Sequence, residues 1–99
     1  MENLKDIINS DKPTLVDFSA SWCNPCQRLK PIIEEIQRER ADSLNVVFIN
    51  IDNHTEEVRE YGIRNVPTLI LFESGAIKWR SAGLHTKSEI ERAIDALNG

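Results

Sequence analysis

One short apolar segment, residues 14–19, restricts the fold of this chain more than any other feature. Leu15, Val16 and Phe18 place apolar side chains on both faces of this segment, which is too short for an ordinary helix. A strand that is apolar on both faces has to be covered on both sides. It is therefore predicted to be the central strand of a single α/β domain that comprises residues 1–99.

The segments around this strand predict a three-layer α/β/α arrangement with a mixed sheet. Residues 23–40 carry the apolar stripe of an amphipathic helix, and residues 46–51 form a second buried strand. Because a strand–helix–strand unit crosses over with right-handed topology, these two strands should be parallel. The other predicted elements are strands at 68–73 and 76–81, a two-residue hairpin between them at Ser74 and Gly75, and helices at 4–9, between His54 and Gly62, and at 86–97.

The charge of the chain is spread evenly along its length. Twelve Lys and Arg residues stand against sixteen Asp and Glu residues, which gives a formal net charge of -4. Binding to nucleic acid or to anionic lipid needs a clustered positive field, and the sequence contains none. The sequence also has no apolar run of membrane-spanning length, and its start lacks the pattern of a signal peptide. We therefore expect a cytoplasmic protein.

Two cysteines, Cys23 and Cys26, lie where the buried strand gives way to the long helix. A sulfur at a helix start faces unpaired backbone N–H groups and the positive end of the helix dipole, which favours the thiolate over the thiol. Such a thiolate at Cys23 can attack a disulfide, and Cys26, one helical turn further on, can then resolve the mixed disulfide. Pro25 suits the first helical turn, where its missing N–H breaks no hydrogen bond.

Two other interpretations of the cysteine pair are weaker. A structural disulfide across so short a loop would restrict the unfolded chain little, and such bonds are rare in the cytoplasm. A zinc site would need closely spaced ligands, but the two histidines, His54 and His85, are 31 residues apart and there is no second cysteine pair. We therefore expect no metal, and both histidines are expected to be solvated.

Asp17 interrupts the apolar residues of the central strand. Its carboxyl group is expected to point into apolar surroundings, and the alternative is a solvated side chain at the edge of the sheet. Desolvation of a buried carboxyl group would raise its pKa toward neutrality. A base with such a pKa could accept the proton of Cys26.

Several motifs, in the same order between Leu4 and Leu97, together resemble the thioredoxin family. They are Val16–Cys26 (VDFSASWCNPC), Pro31, Tyr61–Thr68 (YGIRNVPT), Ser74–Gly75 and Gly83. The resemblance implies the thioredoxin fold and a thiol–disulfide oxidoreductase that reduces protein disulfides. The first strand of the family has no counterpart, because residues 4–9 have a helical pattern, so we expect four strands rather than five.

The resemblance also implies a role for individual residues. Cys23 would be the exposed nucleophile, Cys26 the resolving thiol and Asp17 the buried base. Pro67 would be a cis proline beside the cysteines, which leaves the backbone of Val66 free to pair with an extended substrate. The residues implied for the substrate groove are Trp22, Asn24, Pro25, Val66, Pro67 and Gly83; a core position is the alternative for Trp22.

The sequence departs from the family pattern at four positions near the cysteines. Asn24 replaces the usual Gly, Ser19 replaces a Trp, and Gln27 and Phe48 each replace a Lys. The lysine that Phe48 replaces commonly accompanies the buried Asp, so its loss should make Asp17 harder to ionise.

The resemblance further implies how electrons would reach the protein. No bound cofactor is expected; a redox-active disulfide, Cys23–Cys26, would receive electrons from NADPH through a flavoprotein similar to thioredoxin reductase. The partners would be that flavoprotein and disulfide-containing substrate proteins, and the protein would be a monomer. Two alternatives stay open here: a thiol oxidase or isomerase of the same fold with a higher potential, and a non-catalytic binding module.

Overall fold

A computed structural model describes residues 3–98 of the chain. Its elements are α1 (Leu4–Ile8), β1 (Thr14–Ser19), α2 (Asn24–Glu39), β2 (Asn45–Asn50), α3 (Thr55–Glu60), β3 (Thr68–Glu73), β4 (Ala76–Ala82), α4 (Lys87–Asp95) and a final 3-10 turn (Ala96–Asn98). All the predicted helices and strands are present; β1 and β3 have the predicted bounds, and the other boundaries differ by at most two residues. None of the helices within residues 3–98 has the length and apolar character needed to cross a membrane.

The four strands form one mixed sheet in the order β2-β1-β3-β4. Strand β1 runs parallel to β2 and antiparallel to β3, and β3 and β4 form an antiparallel hairpin. The central position predicted for residues 14–19 and the four-stranded mixed sheet are therefore confirmed. The tight turn of the hairpin places Ser74 and Gly75 at φ values of 51° and 81°, the left-handed conformation that two-residue hairpins require.

Strand β2 is less buried than its apolar sequence predicts. It is an edge strand, and of its residues only Ile49 is fully buried while the others are half-buried. The prediction of a second fully buried strand was therefore wrong. The reason is topological, because in the described part of the chain β2 has a sheet neighbour on one side only.

Helices cover both faces of the sheet, as a central apolar strand requires. Alternate residues of β1 point to opposite faces, so Leu15 packs with residues of α2 and α4, whereas Val16 and Phe18 pack with residues of α1 and with the half-buried Val58 of α3. Full burial of each such side chain contributes about 1.5–3 kcal/mol to folding. Asp17 lies on the same face as Leu15, and the start of α2 follows the carboxyl end of β1.

Candidate active site

The two cysteines lie at the amino-terminal end of helix α2 and are joined by a disulfide, with their Cα atoms 5.3 Å apart. Cys23 is the N-cap residue, and its sulfur accepts a hydrogen bond of 3.2 Å from the backbone N–H of Cys26. Asn24 and Pro25 occupy the first two helical positions, so the proline breaks no helical hydrogen bond. The sulfur of Cys23 therefore lies where the helix dipole and an amide hydrogen both favour negative charge.

Neither cysteine is exposed in this disulfide form. Cys23 is 5% exposed and Cys26 is 2% exposed. The expectation of an exposed nucleophile is therefore wrong for this state. The cause is packing that the sequence pattern does not reveal: the pair forms a small cluster with Ala20, and the half-buried Ile51 and Val66 pack against it. The Sγ atom of Cys23 lies 3.8 Å from the carbonyl oxygen of Val66.

Asp17 is buried beneath this end of the helix, and only 1% of it is exposed. The alternative of a solvated edge position is therefore wrong. Its Oδ1 atom has no hydrogen-bond partner among the residues that the structure describes. Burial raises the pKa of Asp17 from 3.8 to about 6, and the positive charge of Lys30 opposes that rise. A carboxyl group with this pKa can release or accept a proton close to neutral pH.

A cavity of about 250 Å³ is lined by both Asp17 and Cys26. The other residues that line it are Ser19, Ala20, Ser21, Gln27, Lys30, Phe48 and Asn50. Three of the positions at which the sequence departs from the family pattern, Ser19, Gln27 and Phe48, are therefore in the wall of this cavity. Asp17 and Cys26 therefore border the same partly open cavity.

The segment before β3 forms the other side of the site. The peptide bond between Val66 and Pro67 is cis, as the resemblance implies. The carbonyl oxygen of Pro67 accepts a hydrogen bond of 2.9 Å from the N–H of Gly83, which has a φ of 94°. Among the described backbone–backbone hydrogen bonds of loops and turns, none engages the N–H or carbonyl group of Val66, whose carbonyl oxygen contacts only the Sγ atom of Cys23 among the described polar contacts. Val66, Pro67 and Gly83 are thus neighbours, although they come from separate loops.

Trp22 is an exposed residue beside the cysteines, with 66% of its surface accessible. The alternative of a core aromatic residue is therefore wrong. Its indole Nε1 donates a hydrogen bond of 3.2 Å to Oδ2 of Asp52, in the turn after β2. Asp52 is not among the site residues predicted from the sequence. One feature of the sequence could have located Asp52 at the site. It follows a strand that is parallel to β1, and the carboxyl ends of parallel strands meet at one edge of a sheet.

His85 is a second residue that the sequence analysis did not place near the site. Its ring is half-buried rather than solvated, with Nδ1 3.1 Å from the carbonyl oxygen of Gly83 and Nε2 2.8 Å from Oγ of Ser81. These contacts connect the loop of Gly83 to strand β4. Within residues 3–98, no three His, Cys, Asp or Glu side chains are placed to hold a metal ion.

Two adjacent sulfurs that convert between dithiol and disulfide, with a titratable carboxyl group across a shared cavity, define a thiol–disulfide oxidoreductase. Comparison with known proteins gives the family. The family model described as Thioredoxin matches residues 1–96. The chain therefore belongs to the thioredoxin family.

Individual thioredoxins are similar in sequence to this protein over most of the chain. The thioredoxin of Rickettsia bellii is 44% identical over 86 residues, which cover 87% of this chain and 82% of the relative. The thioredoxin of Acidithiobacillus ferridurans is 42% identical over 91 residues, 92% of this chain and 84% of the relative. The thioredoxin of Pseudomonas aeruginosa is 36% identical over 92 residues, 93% of this chain and 85% of the relative.

Proposed function

We propose that this oxidoreductase works as a reductase of protein disulfides, with Cys23 as the nucleophile. The observation that carries the proposal is the hydrogen bond from the N–H of Cys26 to the sulfur of Cys23 at the start of α2. In the dithiol form the same amide and the helix dipole stabilise a thiolate on Cys23 but not on Cys26, whose sulfur follows one turn into the helix.

The reaction has two exchange steps. In the first, the Cys23 thiolate attacks one sulfur of the substrate disulfide; that S–S bond breaks, a mixed disulfide forms, and the other substrate sulfur leaves as a thiolate. In the second, Cys26 loses its proton and attacks the sulfur of Cys23, which releases the second substrate thiolate. The substrate gains two electrons, and the protein ends with the Cys23–Cys26 disulfide.

Asp17 serves as the base of the second step. The cavity that it shares with Cys26 gives a route for the proton, and a pKa of about 6 leaves most of its carboxyl groups ionised at pH 7. Because Cys26 is buried, bulk water has little access to its thiol. The proton returns to solvent from Asp17 after the disulfide has formed.

The substrate lies in a groove beside the cysteines. The residues that line this groove are Trp22, Asn24, Pro25, Val66, Pro67 and Gly83. The N–H and carbonyl groups of Val66 make no backbone–backbone hydrogen bond in the described loops and turns, and they pair with an extended substrate segment. The exposed indole of Trp22 packs against apolar side chains of this substrate segment.

The remaining parts of the proposal concern electron supply and location. Electrons come from NADPH through a flavoprotein similar to thioredoxin reductase, so that electron transport regenerates the dithiol without a cofactor bound to this chain. The basis for this route is that the chain belongs to the thioredoxin family. The protein acts as a monomeric, single domain of residues 1–99 in the cytoplasm, the compartment in which such reductants keep thiols reduced.

The reduction potential of the pair tests this function. The protein is equilibrated in glutathione buffers of known potential, and the dithiol fraction is measured by alkylation and mass spectrometry. We expect a midpoint potential of about -270 mV, typical of a thioredoxin, rather than about -120 mV, typical of a strong disulfide oxidant. A midpoint at the oxidant end would contradict the reductase direction.

A further inference from the structure

The cavity that joins Asp17 and Cys26 has a cation at its rim. Lys30 lines this cavity from helix α2, and among its described lining residues Lys30 alone carries a positive charge. Lys30 follows Cys26 by four residues, so both side chains lie on the same face of α2, the face that covers Asp17. Helix α2 therefore carries both the resolving residue Cys26 and a positive charge that borders the cavity of Asp17.

The other groups around Asp17 offer no compensating charge. Phe48 of β2 and Leu69 of β3 lie in register with Asp17 on its two neighbouring strands. The polar lining residues, such as Gln27 and Asn50, are uncharged, and no residue of α4 lines the cavity. The titratable groups that face this space are Asp17, Cys26 and Lys30.

From this arrangement we propose that Lys30 is a positioning residue for the redox reaction, which supplies the positive charge that the buried carboxylate of Asp17 needs when it forms. The proposal rests on the function of Asp17 as the base of the second step. Its physical basis is the Oδ1 atom, which has no hydrogen-bond partner among the described residues, since a nearby positive charge stabilises a carboxylate that burial disfavours. The opposing influence of Lys30 on the pKa of Asp17 agrees with it.

Helix α2 provides a matched control for the test. Arg28 is exposed on the same helix, two residues before Lys30, and does not line the cavity. Lys30→Gln and Arg28→Gln each remove one positive charge, so the two variants have the same net charge. Lys30→Arg keeps the charge and should restore the effect if charge alone is responsible.

The direct measurement is the titration of the Asp17 carboxyl carbon by NMR in the disulfide form. In that form the cysteines do not titrate, so the Asp17 midpoint is not coupled to a thiol. We expect Lys30→Gln to raise the midpoint by about 0.5 pH unit, Lys30→Arg to retain it, and Arg28→Gln to move it by less than about 0.2. Because Lys30 is exposed, about 0.5 M salt should reduce the difference between the original protein and Lys30→Gln.

The second measurement is the rate at which Cys26 resolves a mixed disulfide, as a function of pH. Near the midpoint of about pH 6, Lys30→Gln should be slower by about twofold, and at pH 8, where Asp17 is ionised in both proteins, the rates should be equal. An unchanged NMR midpoint in Lys30→Gln, or an equal change in Arg28→Gln, would overturn the role of Lys30 and leave the proposed function intact. A raised midpoint with no slower resolution at pH 6 would instead overturn the base role of Asp17, and with it the positioning role.

Discussion

Asp17 and Cys26 border the same cavity, although one lies on the central strand and the other on the helix that covers it. The carboxyl group has no hydrogen-bond partner at Oδ1 among the described residues and has a pKa of about 6. This relationship connects the stability of the fold to its chemistry, because a buried carboxylate is unfavourable for folding and useful as a base.

The first prediction concerns the base. Asp17→Asn removes the proton acceptor but keeps the shape of the side chain, so it should slow the resolution of the mixed disulfide by about 10- to 100-fold at pH 7. Formation of the mixed disulfide on Cys23 should change by less than about threefold. Stopped-flow measurement of the two steps distinguishes these rates, and equal slowing of both would contradict a base role for Asp17.

The second prediction concerns stability and pH. The pKa of Asp17 rises from 3.8 to about 6 on folding, so the folded state binds the proton more tightly than the unfolded state. The associated stabilisation is fully present below pH 3.8 and is lost as the pH rises through about 6. At pH 8, Asp17→Asn should therefore be more stable than the original protein, by up to about 3 kcal/mol.

This stability difference is measured by urea unfolding at several pH values in the disulfide form. It should shrink as the pH falls from 8 to 4, because Asp17 then becomes neutral in the folded protein. A difference that is the same at both pH values would show that the substitution acts through packing rather than through the charge.

The third prediction assigns the two sulfurs. Cys26→Ser removes the resolving thiol, so mixed disulfides between Cys23 and substrate proteins should accumulate. Cys23→Ser is the matched control, because it keeps Cys26 in the first turn of α2 but removes the sulfur at the N-cap. Mass spectrometry of the adducts decides the matter: adducts that accumulate only in Cys23→Ser would reverse the two roles.

The fourth prediction concerns the hydrogen bond from Trp22 to Asp52. Asp52→Ala removes the acceptor and frees the indole, which should raise the KM for a protein disulfide substrate by about 2- to 10-fold, the equivalent of one net hydrogen bond. Asp52→Asn keeps an acceptor oxygen and should have a smaller effect. The kcat value should not change, and a loss of kcat with constant KM would mean that Asp52 acts on the chemistry instead.

Much of the fold could be predicted from short stretches of sequence. The apolar faces of residues 14–19 required a central strand, Ser74 and Gly75 required a tight hairpin, and the first turn of α2 accepted Pro25. Each of these depends on backbone conformation or on the period of the side chains. Such properties are local, so the sequence carries them directly.

The burial of particular side chains could not be predicted in the same way. Phe48 lies on an edge strand and is half-buried, and Cys23 is covered in the disulfide form. In each case the outcome depends on which other element lies next to the residue. An apolar side chain in the sequence carries no information about the segment that will cover it.

For the site, the sequence alone determined the chemistry: two sulfurs one helical turn apart at a helix start, and an acidic residue within a strand that must be buried. The tertiary structure alone decided which groups surround them, since it brings Lys30 to the cavity of Asp17, Asp52 to Trp22 and His85 to Gly83. The physical reason is that reactivity at a helix start arises from neighbours in the chain, whereas the environment of a buried charge arises from residues that meet only after the chain has folded.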